Sequence, residues 1–122
     1  MIMENRALIM ELVEAFDKSE SEKILSYLSD DFQWHMLGDF FISGKENMSK
    51  FLQDHADMGI LSCSKDRILV DGDRVAVEGE VQCSGKDEVI YDMYYCDIYE
   101  LERGKVNKMI SYTVNKKKSN QI

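Results

Sequence analysis

Residues 94–115 read YYCDIYELERGKVNKMISYTVN. Two runs rich in aromatic and β-branched residues flank Arg103-Gly104. The pattern predicts two long antiparallel strands, roughly Glu88 to Leu101 and Lys105 to Val114, joined by a tight turn. Asp97 stands in the middle of the first strand, among Tyr94, Tyr95 and Tyr99. An acid at the centre of a long, curved strand either faces water or is held in a pocket. That choice governs the functional reading.

Upstream the period remains two. Arg67 to Asp71 and Arg74 to Cys83 read as strands joined at Asp71-Gly72-Asp73, and Ser84-Gly85-Lys86-Asp87 turns the chain again. In the second of these strands Val75, Val77, Gly79, Val81 and Cys83 alternate with Glu78, Glu80 and Gln82, so one face is core and the other wet. The two long strands differ. Tyr95, Asp97, Tyr99 and Met109 fall on one face, and Tyr94, Ile98, Ile110 and Tyr112 on the other. Apolar residues on both faces call for two partners, a helical layer and a second subunit.

The N-terminal half has helical periodicity. Leu8, Leu12, Ala15 and Phe16 share a face over about Asn5 to Lys18. Ser19 with Glu22, and Ser43 with Glu46, have the spacing of capping boxes opening a second and a third helix. On the third, Met48, Phe51, Leu52 and His55 share a face, and Gly59 is its expected stop. Between them Phe32, Trp34 and Met36 alternate as a short strand; with these inward His35 faces outward, and a shift of one residue reverses this. Helices followed by an antiparallel meander give an α+β fold with three N-terminal helices packed on a strongly curved, mostly antiparallel sheet.

Composition bounds the function. The chain has 122 residues, 44% of them hydrophobic and 31% charged, which suits one domain over residues 1–115 with a polar tail at 116–122. The formal net charge of -8 argues against nucleic acid, because the only basic run is Lys116-Lys117-Lys118. Cys63, Cys83 and Cys96 are odd in number and widely spaced, as expected in a reducing, cytoplasmic compartment. No apolar run suits a membrane span, and acids interrupt the N-terminus where a signal peptide would be apolar. Two histidines and three scattered cysteines give no metal-ligand spacing, and no cofactor is expected.

Two stretches, SDDFQWHMLGDFFISGKENMSKFL (Ser29 to Leu52) and CDIYELERGKVNKMISY (Cys96 to Tyr112), resemble the NTF2-like superfamily, and within it the SnoaL-like and ketosteroid-isomerase-like proteins. Asp31, Gly44 and the Asp97 to Val106 stretch carry the likeness. The resemblance implies a cone, a curved sheet around an apolar pocket edged by helices, in a homodimer. It also implies that Asp97 corresponds to the inward aspartate that donates a hydrogen bond to the substrate oxyanion in the isomerases. Two other isomerase groups are missing, since the general-base position falls at Met36 and the tyrosine position at Leu12. Steroid isomerisation by that mechanism is therefore not expected.

The candidate catalytic residues are Asp97, Tyr95 and His55. Burial would lift the pKa of Asp97 and let it act as a neutral donor or a weak base; the alternative is a structural aspartate satisfied by its neighbours. His55 suits acid–base work, or is a half-exposed residue favoured by a helix C-terminus. Trp34, Met36, Phe51, Tyr99 and Met109 are the candidate substrate contacts, or simply core. Two functions follow. One is binding of a small apolar molecule, with isomerisation, cyclisation or hydration through an enolate-like state at Asp97. The other is a non-catalytic homodimeric ligand-binding or protein-interaction module.

Overall fold

A computed structural model describes residues 4–56, 59–85 and 89–116. The elements run α1 (Asn5–Asp17), α2 (Ser21–Ser26), β1 (Leu28–Met36), β2 (Phe40–Ser43), α3 (Lys45–Asp54), β3 (Gly59–Cys63), β4 (Arg67–Asp71), β5 (Arg74–Ser84), β6 (Ile90–Glu102) and β7 (Lys105–Asn115). The strands form one sheet in the order β2-β1-β7-β6-β5-β3, with β4 also paired to β5. The helices pack on one face of this curled, mostly antiparallel sheet, as the sequence pattern predicts.

The anticipated hairpins form where the turn residues place them. Glu102 pairs with Lys105 across Arg103 and Gly104, whose φ angles of 52° and 75° are the paired positive values of a type I′ turn. Asp71 likewise pairs with Arg74, with Gly72 at φ 58°. The parity of the sequence also holds. Val75, Val77, Tyr95, Tyr99, Leu101 and Met109 join Leu8, Ile9, Leu12 and Val13 of α1 in one core. Tyr94, Tyr112 and Val114 stand exposed on the opposite face.

Several expectations are corrected. Neither capping box forms. Ser19 sits in a left-handed turn at φ 56°, and α2 begins after Glu20 with no side-chain cap. Ser43 belongs to β2, and α3 starts after Gly44 at φ 90°, a conformation that needs glycine. The Ser43 carbonyl there accepts from Asn47 Nδ2 at 2.8 Å. Gly59 opens β3 rather than stopping α3, which ends at Asp54. β2 and β3 have no strand signature in the sequence, since neither FFIS nor GILSC alternates between apolar and polar residues. The meander β4 to β7 forms as expected, and β1 is added to it parallel to β7. Pairing across the chain decided that, not the local pattern.

Lys116 is fastened to the sheet instead of standing in a solvated tail. Its ammonium pairs with Asp92 at 3.2 Å and with Glu80, and lies 5.1 Å from the centre of the Tyr94 ring. The turn at Lys86-Asp87, the start of the long strand at Glu88, and residues 117–122 of the tail lie outside the described residues. Among the described residues no helix is long and apolar enough to cross a membrane.

Candidate functional site

The curl of the sheet leaves a cavity of about 380 Å³ between its concave face and the helices. Its floor is the inward face of the long strands: Met93, Tyr95, Asp97 and Tyr99 of β6, with Met109, Ser111 and Thr113 of β7. Trp34 and Met36 enter from β1, Val13, Phe16 and Asp17 from α1, and Phe51, Leu52 and His55 from α3. All eight candidate residues named from the sequence therefore line one cavity. His35 does not; it points outward, 4.5 Å from the Phe41 ring.

One wall is aromatic. The Trp34 ring lies 5.1 Å from Phe40 and 5.6 Å from Phe51, both nearly edge-on, and 6.1 Å from Phe16. These spacings are those of favourable aromatic pairs. His55 caps α3 and stacks on Phe51 at 4.2 Å. Its Nδ1 lies 2.9 Å from the Phe51 carbonyl oxygen. A carbonyl only accepts, so Nδ1 carries a hydrogen, and in the neutral ring Nε2 keeps a free lone pair.

Asp97 is the ionisable group at the floor. It keeps partial solvent contact through the cavity, while protein surrounds its carboxyl on nearly every other side. Burial pushes its pKa from the ordinary 3.8 up to about 6, against the opposing effect of a hydrogen bond from Ser111. Ser111 faces Asp97 directly across the β6–β7 ladder and is 1% exposed. Its Oγ accepts from the Trp34 indole N–H at 2.9 Å. The Ser111 proton is thus free to be given to the carboxylate.

Tyr95 is differently committed. Its hydroxyl donates to the Ser64 carbonyl at 2.6 Å and lies 3.4 Å from the Cys63 thiol. Burial, then the contact with Cys63, raises its pKa far out of the neutral range. Tyr99 is 1% exposed and raised in the same direction by burial. Burial also raises the Cys63 and Cys83 thiols that line the cavity, so neither has the depressed pKa of a nucleophile. Asp17, at the rim, is paired with Lys65, whose ammonium also reaches the Cys63 carbonyl at 3.2 Å.

Among the lining residues that the sequence does not single out, two matter most to the site, Ser111 and Phe40. Ser111 has the inward parity, but only the β6–β7 register brings it opposite Asp97. Phe40 lies on β2, which has no sequence signature.

The sequence matches the family model of the SnoaL-like domain over residues 9–109. The chain belongs to the SnoaL-like domain family. Among solved structures, this SnoaL-like chain is similar to an epoxide hydrolase of the LEH-like kind from M. tuberculosis, with 17% identity, a TM-score of 0.81, and 90% of this chain covering 82% of that one. A candidate SnoaL-like polyketide cyclase from Shewanella denitrificans superposes with a TM-score of 0.80 at 13% identity, covering 90% of each chain. TerC, co-crystallised with polyporic acid, gives a TM-score of 0.74 at 18% identity, over 88% of this chain and 89% of that one. At these identities the likeness concerns the fold, which is NTF2-like. No curated protein matches the sequence.

Proposed function

We propose that this SnoaL-like protein takes a small, largely apolar molecule into the cavity and exchanges a proton with it at Asp97. The reaction classes are isomerisation, cyclisation or hydration through an enolate-like state. The observation that carries the reading is a carboxyl, Asp97, at the floor of a largely apolar cavity, where burial pushes its pKa up to about 6. A group with that pKa is available in both protonation states near neutrality. Protonated, it donates a hydrogen bond to a substrate oxygen; the Nε2 lone pair of His55 is the base at the other side. Tyr95 is a positioning residue in this scheme, because its own proton is held by Ser64. Trp34, Met36, Phe51, Tyr99 and Met109 supply the apolar contacts. Leu12 is wholly buried in the core and Met36 carries no proton acceptor, which speaks against steroid isomerase chemistry. The solved relatives named as a cyclase and as a hydrolase support a small-molecule role without naming a substrate.

The test is proton exchange in D2O. A panel of small aryl ketones is incubated with wild type, Asp97→Asn and His55→Phe, and deuteration next to the carbonyl is followed by NMR. Exchange by the wild type that falls about 100-fold or more in Asp97→Asn supports the reading. Equal ligand binding by wild type and Asp97→Asn, with no exchange by either, removes the catalytic role.

A second reading has its own observation. On the outer face Tyr94 pairs with Val114, Cys96 with Tyr112 and Ile98 with Ile110, an apolar stripe in which Tyr94, Tyr112 and Val114 are exposed and the others half-buried. Such a stripe suits a second copy of the chain, and a homodimer is compatible with either an active or an inactive cavity.

A further inference from the structure

We infer that Trp34 and Ser111 act as positioning residues for Asp97, through a hydrogen-bond chain that runs from the indole N–H to the serine hydroxyl and on to the carboxylate. Three strands meet in this chain. Trp34 is on β1, Ser111 on β7 and Asp97 on β6. The parallel β1–β7 pairing sets Trp34 beside Met109 and Met36 beside Ser111, while the antiparallel β6–β7 pairing sets Ser111 opposite Asp97. No stretch of sequence contains the chain; it exists only at the junction of the two pairings.

The chemistry fixes its direction. An indole nitrogen is a donor only, so Trp34 must give its hydrogen to Ser111 Oγ, 2.9 Å away. A hydroxyl that accepts there turns its own hydrogen elsewhere, and the carboxylate opposite is the acceptor it meets. Ser111 is the one polar side chain, among the described residues, that is buried as deeply as the apolar core. Burying a hydroxyl costs free energy unless both its roles are used; the indole uses one, and donation to the carboxylate facing it across the ladder uses the other in this scheme. Linked hydrogen bonds also polarise one another, so the indole strengthens the serine's donation.

The consequence is functional. Donation from Ser111 engages one side of the Asp97 carboxylate in this scheme and sets the plane of the group beside the cavity. The ionised form is favoured by the donation, which moderates the effect of burial. The other titratable groups about the cavity are Asp17 with Lys65 at the rim, Cys63 and Cys83 on β3 and β5, Tyr95 and Tyr99 on the same strand, and His55 on α3. None of these occupies the position of Ser111 across the ladder.

Asp97's role in turnover rests on the proposed function, but the chain is tested without any substrate. The carboxyl resonance of Asp97, identified by its loss in Asp97→Asn, is titrated by carbon-13 NMR in five proteins: wild type, Ser111→Ala, Ser111→Thr, Trp34→Phe, and the double variant Trp34→Phe with Ser111→Ala. Ser111→Ala is expected to raise the titration midpoint by about one pH unit, the scale of a lost hydrogen bond to a charged group. Ser111→Thr, which keeps the hydroxyl, is expected to restore it. Trp34→Phe is expected to raise it by less, and to add nothing once Ser111 is already alanine, because the indole acts through the serine. An unchanged midpoint in Ser111→Ala would overturn the inference, as would additive effects of the two substitutions. Should Ser111→Ala fail to fold, an unchanged midpoint in Trp34→Phe would overturn it. A midpoint that moves as expected without any turnover would leave the chain standing and remove only the catalytic reading.

Discussion

The Tyr95 hydroxyl reaches the Ser64 carbonyl at 2.6 Å because nothing stands between β5 and the loop that carries Ser64. The residue that leaves the space is Gly79. A Cβ there would lie 2.1 Å from the Ser64 carbonyl oxygen and 2.8 Å from its carbon. These are backbone atoms and cannot swing aside. The same loop is tied to the next residue, since Ser64 N–H donates to the Glu80 carbonyl at 2.8 Å and Glu80 N–H donates to Ser64 Oγ at 2.9 Å. Gly79→Ala is therefore expected to destabilise by about 2–3 kcal/mol, in the range of overpacked interiors. Urea denaturation checks it, and a loss under about 0.5 kcal/mol would mean the loop is free to move.

Tyr95→Phe isolates the hydrogen bond from the ring. The ring stays packed, but the Ser64 carbonyl loses its donor and the Cys63 thiol its partner. A loss of about 1 kcal/mol in stability is expected, with proton exchange at Asp97 retained. A loss of exchange far beyond the loss of stability would return Tyr95 to the catalytic group.

Asp97 makes a prediction with an unusual sign. Its folded pKa is about 6 and its ordinary value 3.8, so between these values the folded state holds the proton and the unfolded state does not. Its contribution is fully present below about pH 4 and is lost as the pH rises through 6. The difference corresponds to roughly 3 kcal/mol of strain in the ionised protein at neutral pH. Asp97→Asn removes the ionisation while Ser111 can still donate to the new amide oxygen. The variant is expected to exceed wild type in stability at pH 7–8 and to approach it near pH 4. Denaturation curves across that range decide it. A variant weaker than wild type at every pH would instead point to an aspartate kept for structure.

The hairpin turn offers a gain. Arg103 occupies a left-handed conformation at φ 52°, which disfavours a residue with a Cβ, and it precedes Gly104. Arg103→Asn gives the Asn-Gly pair that type I′ turns prefer. A rise of about 0.5–1 kcal/mol in stability is expected, read as a higher thermal midpoint. No rise would mean that the Arg103 side chain makes a compensating contact.

The outer stripe provides the test of the proposed homodimer. Tyr112 and Val114 are 45% and 64% exposed and stand across the ladder from Cys96 and Tyr94. Tyr112→Lys with Val114→Glu is expected to convert a dimer to a folded monomer in sedimentation. A wild type that already sediments as a monomer would leave this face without a partner.

Turn chemistry and period-two alternation were enough to place β4 to β7, and with them the shared face of Tyr95, Asp97, Tyr99 and Met109, which the family resemblance turned inward. The type of every helix was legible for the same reason, since periodicity is a local property. Their starts were not: Ser19 and Ser43 have capping-box spacing, yet the chain enters α2 and α3 through left-handed turns that no spacing records. β2 and β3 lack apolar–polar alternation, and nothing in the sequence marks Phe40 as part of the site.

The sequence by itself determined which side chains share a face of each strand, because alternation along a strand is fixed by backbone geometry; which of the two faces is the concave one followed from the family resemblance. Only the tertiary structure decided what those side chains do to one another. Whether Ser111 meets Asp97, whether Trp34 reaches Ser111, and whether the Tyr95 proton is spent on Ser64 all depend on pairings between residues 14 to 77 positions apart. Such contacts are set by register, packing and the curl of the whole sheet. The burial that lifts the Asp97 pKa arises in the same way, from helices and strands that become its neighbours only when the sheet closes around the cavity.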